Sequence, residues 1–410
     1  MNLILFDDVF SDNLLPLTYT RPVSEIRIGI MTIKEKWEKA LVKNASYATK
    51  DYLSAKFKIN IAEDNLLING SVCPDSILIK EISELSYNQK LIDNEKLIAI
   101  KIKGNELGKY IEKSDGSLKS QLSYILQKSD KEKVLSKSSK ITINNLWDIF
   151  SKNGLALEED FKVLTKGRES KILNKSNQVI GGGSVFVEDG VKAECAVFNT
   201  SSGSIYLGKD SEVMEGSLIR GPFALCEHSG LKLGTKIYGP TTVGPYSKVG
   251  GEVNNSVIFG YSNKGHDGFL GNSVIGEWCN LGADTNNSNL KNNYGEVQLW
   301  NYNEEKYINT KLQFCGLIMG DHSKCGINTM FNTGTVVGVN ANIFGAGFPD
   351  KHIPSFSWGG AAGFESYEPK KAFEVAERVY ERRNKIFDQQ EKEILSHVFS
   401  LSVKHRKVFL

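Results

Sequence analysis

An α/β unit followed by a left-handed parallel β-helix of hexapeptide repeats with a C-terminal helix is the fold this sequence predicts, and three observations carry the prediction. Every sixth residue from 207 onward is aliphatic: Leu207, Val213, Ile219, Leu225, Leu231, Ile237, Val243 and Val249. Four positions after most of them stands a small hydroxylated residue, as at Ser211, Ser217, Ser229, Thr235, Thr241 and Ser247. Glycine often follows the aliphatic residue, as at Gly208, Gly244 and Gly250, and the first 145 residues show no such period.

A period of six is neither helical nor a simple strand alternation; it belongs to a coil of three short strands, one hexad per side. The aliphatic residue points inward, the small one fits the crowded next position, and each buried aliphatic side chain contributes about 1.5–3 kcal/mol. The period also runs through Val179, Val185, Val191 and Val197, through Phe269, Ile275 and Leu281, and through Met319, Cys325, Phe331, Val337 and Ile343. It breaks at 250–268 and again at the polar, Asn-rich stretch 286–313. A stacked coil ejects such a stretch as a loop, and loops on a rigid scaffold commonly carry binding groups. Trp300, Tyr302 and Tyr307 in that loop either close over a ligand or pack on the flank of the coil.

Before the repeat, strand-like segments at 3–6, 66–70 and 96–102 alternate with helical patterning at 32–41, where Ile33, Trp37, Ala40 and Leu41 share a face. Residues 118–140 are rich in Lys and Ser and read as solvated surface, and 144–162 read as a connecting helix. After Ile343 an extended Gly/Pro arm leads to an amphipathic helix at 370–387, with Phe373, Ala376, Val379 and Tyr380 on one face, which caps the coil or lies on a neighbouring subunit. The expected units are 1–145, a linker helix at 146–175, the β-helix at 176–348, and an arm with its helix at 349–410.

Charge and cysteine usage narrow the function classes. The 50 Lys+Arg nearly balance 48 Asp+Glu, which argues against a dedicated nucleic-acid binder. No segment reaches the roughly 20 apolar residues of a bilayer span, and the opening MNLILFDD reads as a strand and not as a signal peptide. The six cysteines form no CxxC pair and read as free thiols in a reducing cytoplasm.

The run KGHDGFLGNSVIGEWCNLGADTNNSN at 264–289 resembles the acetyltransferase domain of the bifunctional UDP-N-acetylglucosamine pyrophosphorylase/glucosamine-1-phosphate N-acetyltransferase family. The resemblance implies His266 as the catalytic base, Asn280 and Asn289 as sugar-phosphate ligands, and Ala283 lining the acetyl-CoA site. Lys248 and Lys264 are the nearest candidates for the family's basic phosphate ligands, and Phe269 stands where the family has Tyr. The start of the chain is similar to the family's sugar nucleotidyltransferase domain: LLPLTYTRP at 14–22 and LLINGSVCPD at 66–75 carry the likeness. Its Gly-rich phosphate loop is replaced by FDDVFSDN, its Lys after Pro by Val23, and its metal-binding Asp after Asn-Gly by Ser71, so this is a degenerate version of that domain. Asp7 and Asp8, with Asp75, are the remaining metal candidates, against the reading of Asp7 and Asp8 as a capped turn; Arg21 and Arg27 are candidates for phosphate. The family resemblance further implies an amino sugar phosphate or nucleotide sugar as acceptor, a nucleoside triphosphate with Mg2+ for the first domain, and a homotrimer with sites between subunits.

Transfer of an acyl group to an amine needs a proton acceptor, oxyanion stabilisation and in-line positioning. Histidine, with an unperturbed pKa of about 6.5, suits the first task. His266 lies between Gly265 and Asp267 beside a phase break, whereas His228, His322, His352, His397 and His405 lack such a context, lack zinc spacing and read as structural. Two rivals remain open: a nucleotidyltransferase whose β-helix only oligomerises it, which would release no CoA, and a non-catalytic sugar-nucleotide-binding scaffold, which would turn over nothing.

Overall fold

The computed structural model describes residues 1–94, 96–112, 131–135 and 141–406, which divide into two compact units. The first comprises Met1–Leu14, Thr20–Ile26 and Met31–Asn144; the second comprises Leu15–Tyr19, Arg27–Ile30 and Asn145–Leu410. Of the stretch 118–140 expected as solvated surface, only 131–135 are described; Lys131–Val134 there form a strand, and the rest lies outside the described residues.

In the first unit, β1 (Asn2–Phe6), β2 (Ala45–Ala48), β3 (Asp64–Asn69), β4 (Gln89–Asp93), β5 (Lys96–Lys103) and β6 (Lys131–Val134) form one sheet in the order β2-β1-β3-β5-β4-β6. Leu3–Phe6 and Leu66–Ile68 are buried throughout, the continuous apolar run of a strand covered on both faces. β1 and β3 run parallel, whereas β5 is antiparallel to β3. The C-terminal ends of β1 and β3 and the start of β5 therefore meet at one edge of the sheet, which carries Asp7, Asp8, Ser71 and Lys96. The helix Ile33–Leu41 starts where expected, at a capping box in which Glu35 N donates to Thr32 Oγ1 (3.2 Å) and Thr32 N to Glu35 Oε2 (2.6 Å). Its Trp37 is fully buried and donates from Nε1 to Val72 O at 2.7 Å.

The second unit is a three-faced parallel β-helix. Its first face is a six-stranded sheet from Gln178–Ile180 to Phe269–Gly271. Its second has nine strands, from Val185–Val187 to His352–Ile353. Its third has ten, beginning at Lys192–Ala193. Within these three faces the strands pair parallel except the last, Gly363–Ser366, which folds back antiparallel on Ser357–Gly360. The eight aliphatics from Leu207 to Val249 all point inward and join one continuous core. The hydroxyls of Ser217 and Thr235 are buried and donate to carbonyls of their own turns, Met214 O at 2.8 Å and Lys232 O at 2.6 Å.

The earlier and later repeats keep the coil but not always the phase read from sequence. Phe198, fully buried, is the inward residue where Val197 was expected, and Leu270 takes the place of Phe269, which faces outward. The break at 250–268 ejects no loop. Val249 is followed inward by Val253 and Ile258, so two hexads are shortened, and Lys264 then pairs with Val249 in an inward column. The stretch after Asn287 does leave the coil and forms a hairpin, Gln298–Asn301 with Lys306–Asn309. Its aromatics pack on the flank: Trp300 stacks on His352 at 4.2 Å, and Tyr302 is buried against Tyr19, His352 and His405.

Two helices, Leu146–Ser151 and Asn153–Thr165, stand where one was expected. Asn153 accepts from Gly29 N (2.8 Å) and donates to Thr242 Oγ1 (3.1 Å), tying helix, segment 27–30 and coil together. At the corner between the second and third faces, His228, Tyr246, Tyr261 and Trp278 all adopt left-handed backbone, and their rings stack at 4.7, 5.0 and 4.3 Å. The C-terminal helix Pro369–Glu381 lies on this chain's own coil: Tyr380 stacks on Trp278 at 3.9 Å.

Lys264 is 3% exposed, and its Nζ donates to Gly250 O (3.0 Å) and His266 O (2.8 Å). Burial pulls its pKa from 10.5 down to about 8, against the pull of Asp267 and Asp284. Below about pH 8 the amine is charged in both folded and unfolded chains, and the desolvation penalty is present in full. Between 8 and 10.5 only the unfolded chain keeps the proton, so stability rises with pH, by roughly 3 kcal/mol for this residue across the window. Lys324, also lowered by burial to about 8, adds a similar rise. In denaturant titrations from pH 7.5 to 10, Lys264→Met is expected to show a flatter rise in unfolding midpoint than the parent. Parallel curves would contradict the buried-amine account.

Candidate functional site

The coil register sets the site. On the third face, the residue just before each inward position points outward, and strand pairing stacks Lys248, Asn263, Asn280, Lys324 and Asn342 on successive rungs. Adjacent rungs lie about 4.8 Å apart. Lys248 is half-buried and Asn280 exposed. Asn263 donates to Asn280 Oδ1 at 3.4 Å, a long contact, and its own Oδ1 is buried without a partner among the described residues. Lys324 donates to His322 O at 2.8 Å. Asn263 and Lys324 were not picked out from the sequence. The signal was present, since each precedes an inward residue exactly as Asn280 precedes Leu281, but it requires the true phase after the shortened hexads.

Where the third face turns into the first, His266 is exposed, and Ala283 occupies the same corner one rung on, because Asp284 N donates to Asp267 O at 3.0 Å. The turn depends on Gly268: its φ is +117°, and a Cβ there would lie 2.2 Å from Thr285 O. Lys264 has a different place from the one the sequence suggested. Its amine is inside the coil and donates to backbone carbonyls, so it supports the carbonyl of His266 and does not reach a substrate phosphate. Asn289 lies at the other end of the first face, where its Nδ2 donates to Asn272 Oδ1 at 2.8 Å. The Phe269 ring reaches toward it over Gly271, whose added Cβ would meet Phe269 Cζ at 2.5 Å and Asn289 Nδ2 at 2.6 Å. A groove of about 330 Å³ on the first face, lined by Leu218, Arg220, Lys236, Tyr238 and Glu252, lies on earlier rungs, Glu252 being one rung below Phe269.

The candidates from the chain start are spent on structure. Asp7 accepts from Val23 N (2.8 Å) and Thr49 Oγ1 (2.6 Å), and burial pushes its carboxyl up to about 6. Asp8 accepts from Phe10 N (2.9 Å) and Asn69 Nδ2 (2.8 Å) and pairs with Lys96. Asp75 caps the helix Ser76–Ser83 through Leu78 N at 2.7 Å. Arg21 is buried, its charge acting on Glu25. Arg27 donates to Phe259 O at 3.1 Å and to Ile30 O, and belongs to the second unit. Among the described residues, no three acidic, His or Cys side chains gather as a metal site. Magnesium binds through one or two carboxylates together with substrate phosphates, and the Asp8 carboxylate is already paired with the Lys96 ammonium, an arrangement that does not suit the ion.

Among the described residues, no helix is long and apolar enough to cross a membrane, and all six cysteines are free thiols.

Residues 3–169 match the family model described as sugar nucleotidyl transferase. A bifunctional protein GlmU of Methanococcus aeolicus is 36% identical over 92 residues, 22% of this chain and 22% of that protein. A bifunctional sugar-1-phosphate nucleotidylyltransferase/acetyltransferase of Sulfurisphaera tokodaii is 28% identical over 160 residues, 38% of this chain and 37% of that one. The chain thus matches well under half the length of these relatives. The crystal structure of the polySia-specific acetyltransferase NeuO aligns with a TM-score of 0.29 at 16% identity, covering 47% of this chain and 87% of that one. With an N-terminal part that matches the sugar nucleotidyl transferase model and a three-faced parallel β-helix after it, the chain is similar to the bifunctional, GlmU-like transferases.

Proposed function

We propose that the β-helix transfers an acyl group, acetyl from acetyl-CoA, to the amine of an amino sugar phosphate or a nucleotide-linked sugar, and that the chain works in the cytoplasm in sugar-nucleotide synthesis. The observation that carries this reading is the convergence of the outward Lys248–Asn263–Asn280 column with the corner that bears His266 and Ala283.

His266 accepts a proton from the amine as its nitrogen attacks the thioester carbon; the C–S bond breaks, and CoA leaves as the thiol with a proton returned to sulfur. Lys248 supplies positive charge for the acceptor's phosphate, and the amides of Asn263 and Asn280 orient its hydroxyls. Acetyl-CoA, a substrate in this scheme, lies along the corner at Ala283. Asn289 sits at the far end of the first face from His266, which favours a homotrimer in which one copy brings its Asn289 corner to another copy's His266. The first unit binds the nucleotide sugar. Its Asp8 carboxylate is paired with Lys96, which does not suit a magnesium-dependent nucleotidyl transfer.

The test is CoA release from acetyl-CoA with glucosamine 1-phosphate, and then with a small panel of amino-sugar phosphates. His266→Ala is expected to lower kcat by about a hundredfold or more. Absence of CoA release from the parent with every acceptor would reject the acyl-transfer reading. Asn280→Ala is expected to raise the KM for the acceptor about tenfold, as for loss of one well-formed hydrogen bond to a hydroxyl, with little change in the KM for acetyl-CoA. Equal effects on both substrates would remove Asn280 from the acceptor site.

A further inference from the structure

At the edge of the first unit's sheet where β1 and β3 end, the position between Asp8 and Ser71 is filled by a side chain of the protein itself. Lys96, the first residue of β5, reaches back so that its Nζ lies 2.9 Å from Ser71 Oγ, 2.7 Å from Asn144 Oδ1 and 3.3 Å from Asp8 Oδ2. The Lys96 side chain is 13% exposed and that of Asp8 14%, so neither charge is left to solvent. The frame around them is hydrogen-bonded in turn. Asn69 Oδ1 accepts from both the N–H (3.0 Å) and the hydroxyl (2.7 Å) of Ser71, while Asn69 Nδ2 donates to Asp8 Oδ2 (2.8 Å) and Leu97 O (3.0 Å). Asp8, Ser71 and Asn144 thus present three oxygens, from three segments far apart in sequence, to one cationic centre.

We infer that the Lys96 ammonium is the resident cation of this edge and excludes a divalent metal from it, so that the first unit holds its phosphorylated ligand without magnesium. An ammonium makes directional hydrogen bonds near 2.8 Å to neutral oxygens, and Ser71 and Asn144 provide such oxygens. Magnesium, at 2.0–2.1 Å, binds through one or two carboxylates besides water and phosphate oxygens, and among the described residues the carboxylate at this position is that of Asp8, already paired with Lys96. A metal would also have to sit against the ammonium, whose repulsion is strong in a site so little screened. Lys96 and Ser71 belong together: an acid at 71 would recruit a metal if Lys96 were absent, whereas a hydroxyl suits the ammonium. This inference rests on the match of residues 3–169 to sugar nucleotidyl transferases and is independent of acyl transfer by the coil, which CoA release tests separately.

The experiment is Mn2+ binding to the full chain, read from the loss of the free-ion electron paramagnetic resonance signal. The parent, Asp8→Asn, and the double variant Lys96→Ala with Ser71→Asp are compared. The parent is expected to take up no Mn2+ that Asp8→Asn abolishes, and the double variant is expected to gain one such ion per chain. Uptake by the parent that is equal in Asp8→Asn lies elsewhere on the chain and agrees with the inference. Uptake by the parent that Asp8→Asn removes would overturn it, whether or not the double variant folds.

Discussion

Parallel pairing of each strand with the strand one turn earlier is the interaction on which the second unit depends. Such pairing satisfies the backbone of every rung from its neighbours, so the inward side chains must stack in columns, and so must the outward ones. The apolar columns supply the core from Val187 to Ile353. The outward column on the third face brings Lys248 to Asn280, residues 32 apart in sequence, within two rungs of each other. The arrangement of polar groups beside His266 is therefore a by-product of the same register that buries Leu231, Val249 and Leu281. It needs no separate loop to hold it, and it is as rigid as the coil.

The first unit is organised by a different constraint. Its central strands β1 and β3 are buried on both faces, so polar residues collect at their ends, and each polar group there must find a partner within the protein. Asp7 finds Thr49 and Val23 N, and Asp75 finds the N-terminus of the helix it caps. The likeness to sugar nucleotidyl transferases lies in the match of residues 3–169, while the charges at this edge are balanced among the protein's own side chains.

Regular elements were the readable part of the sequence, and exceptions to them were not. Eight aliphatics six apart could only be one coil, and Thr32 with Glu35 marks a helix start by chemistry local to four residues. Lys264 defeats a hydropathy reading, because a lysine enters an apolar column only when carbonyls such as Gly250 O and His266 O happen to lie within reach of its amine. Val197 and Phe269 misled because each is an apolar residue adjacent to the truly inward one, and a shortened hexad shifts the count by amounts that spacing alone does not reveal. The substitution of Ser71 for an acid was visible, but its counterpart Lys96 is 25 residues away and only the sheet order brings the two together. Candidates such as Arg21 and Arg27 were chosen by residue type, and type does not tell whether a guanidinium faces a ligand or a carbonyl.

The shortened coil also bears on how the solenoid comes apart. In a structure whose turns touch only their neighbours, cooperativity is transmitted turn by turn and is limited by the weakest junction. Between Val249 and Leu281 the third-face column passes through a lysine stem, which replaces branched aliphatic packing on both sides. The coils before 250 and those after 270 thus meet at a turn whose third-face column holds a lysine, while Val253 and Ile258 keep its other two faces apolar. Partial opening at that junction costs less than global unfolding. The corner that carries His266 lies at this turn, so the regular apolar packing of the coil is interrupted directly beneath that histidine, whose carbonyl the lysine amine holds.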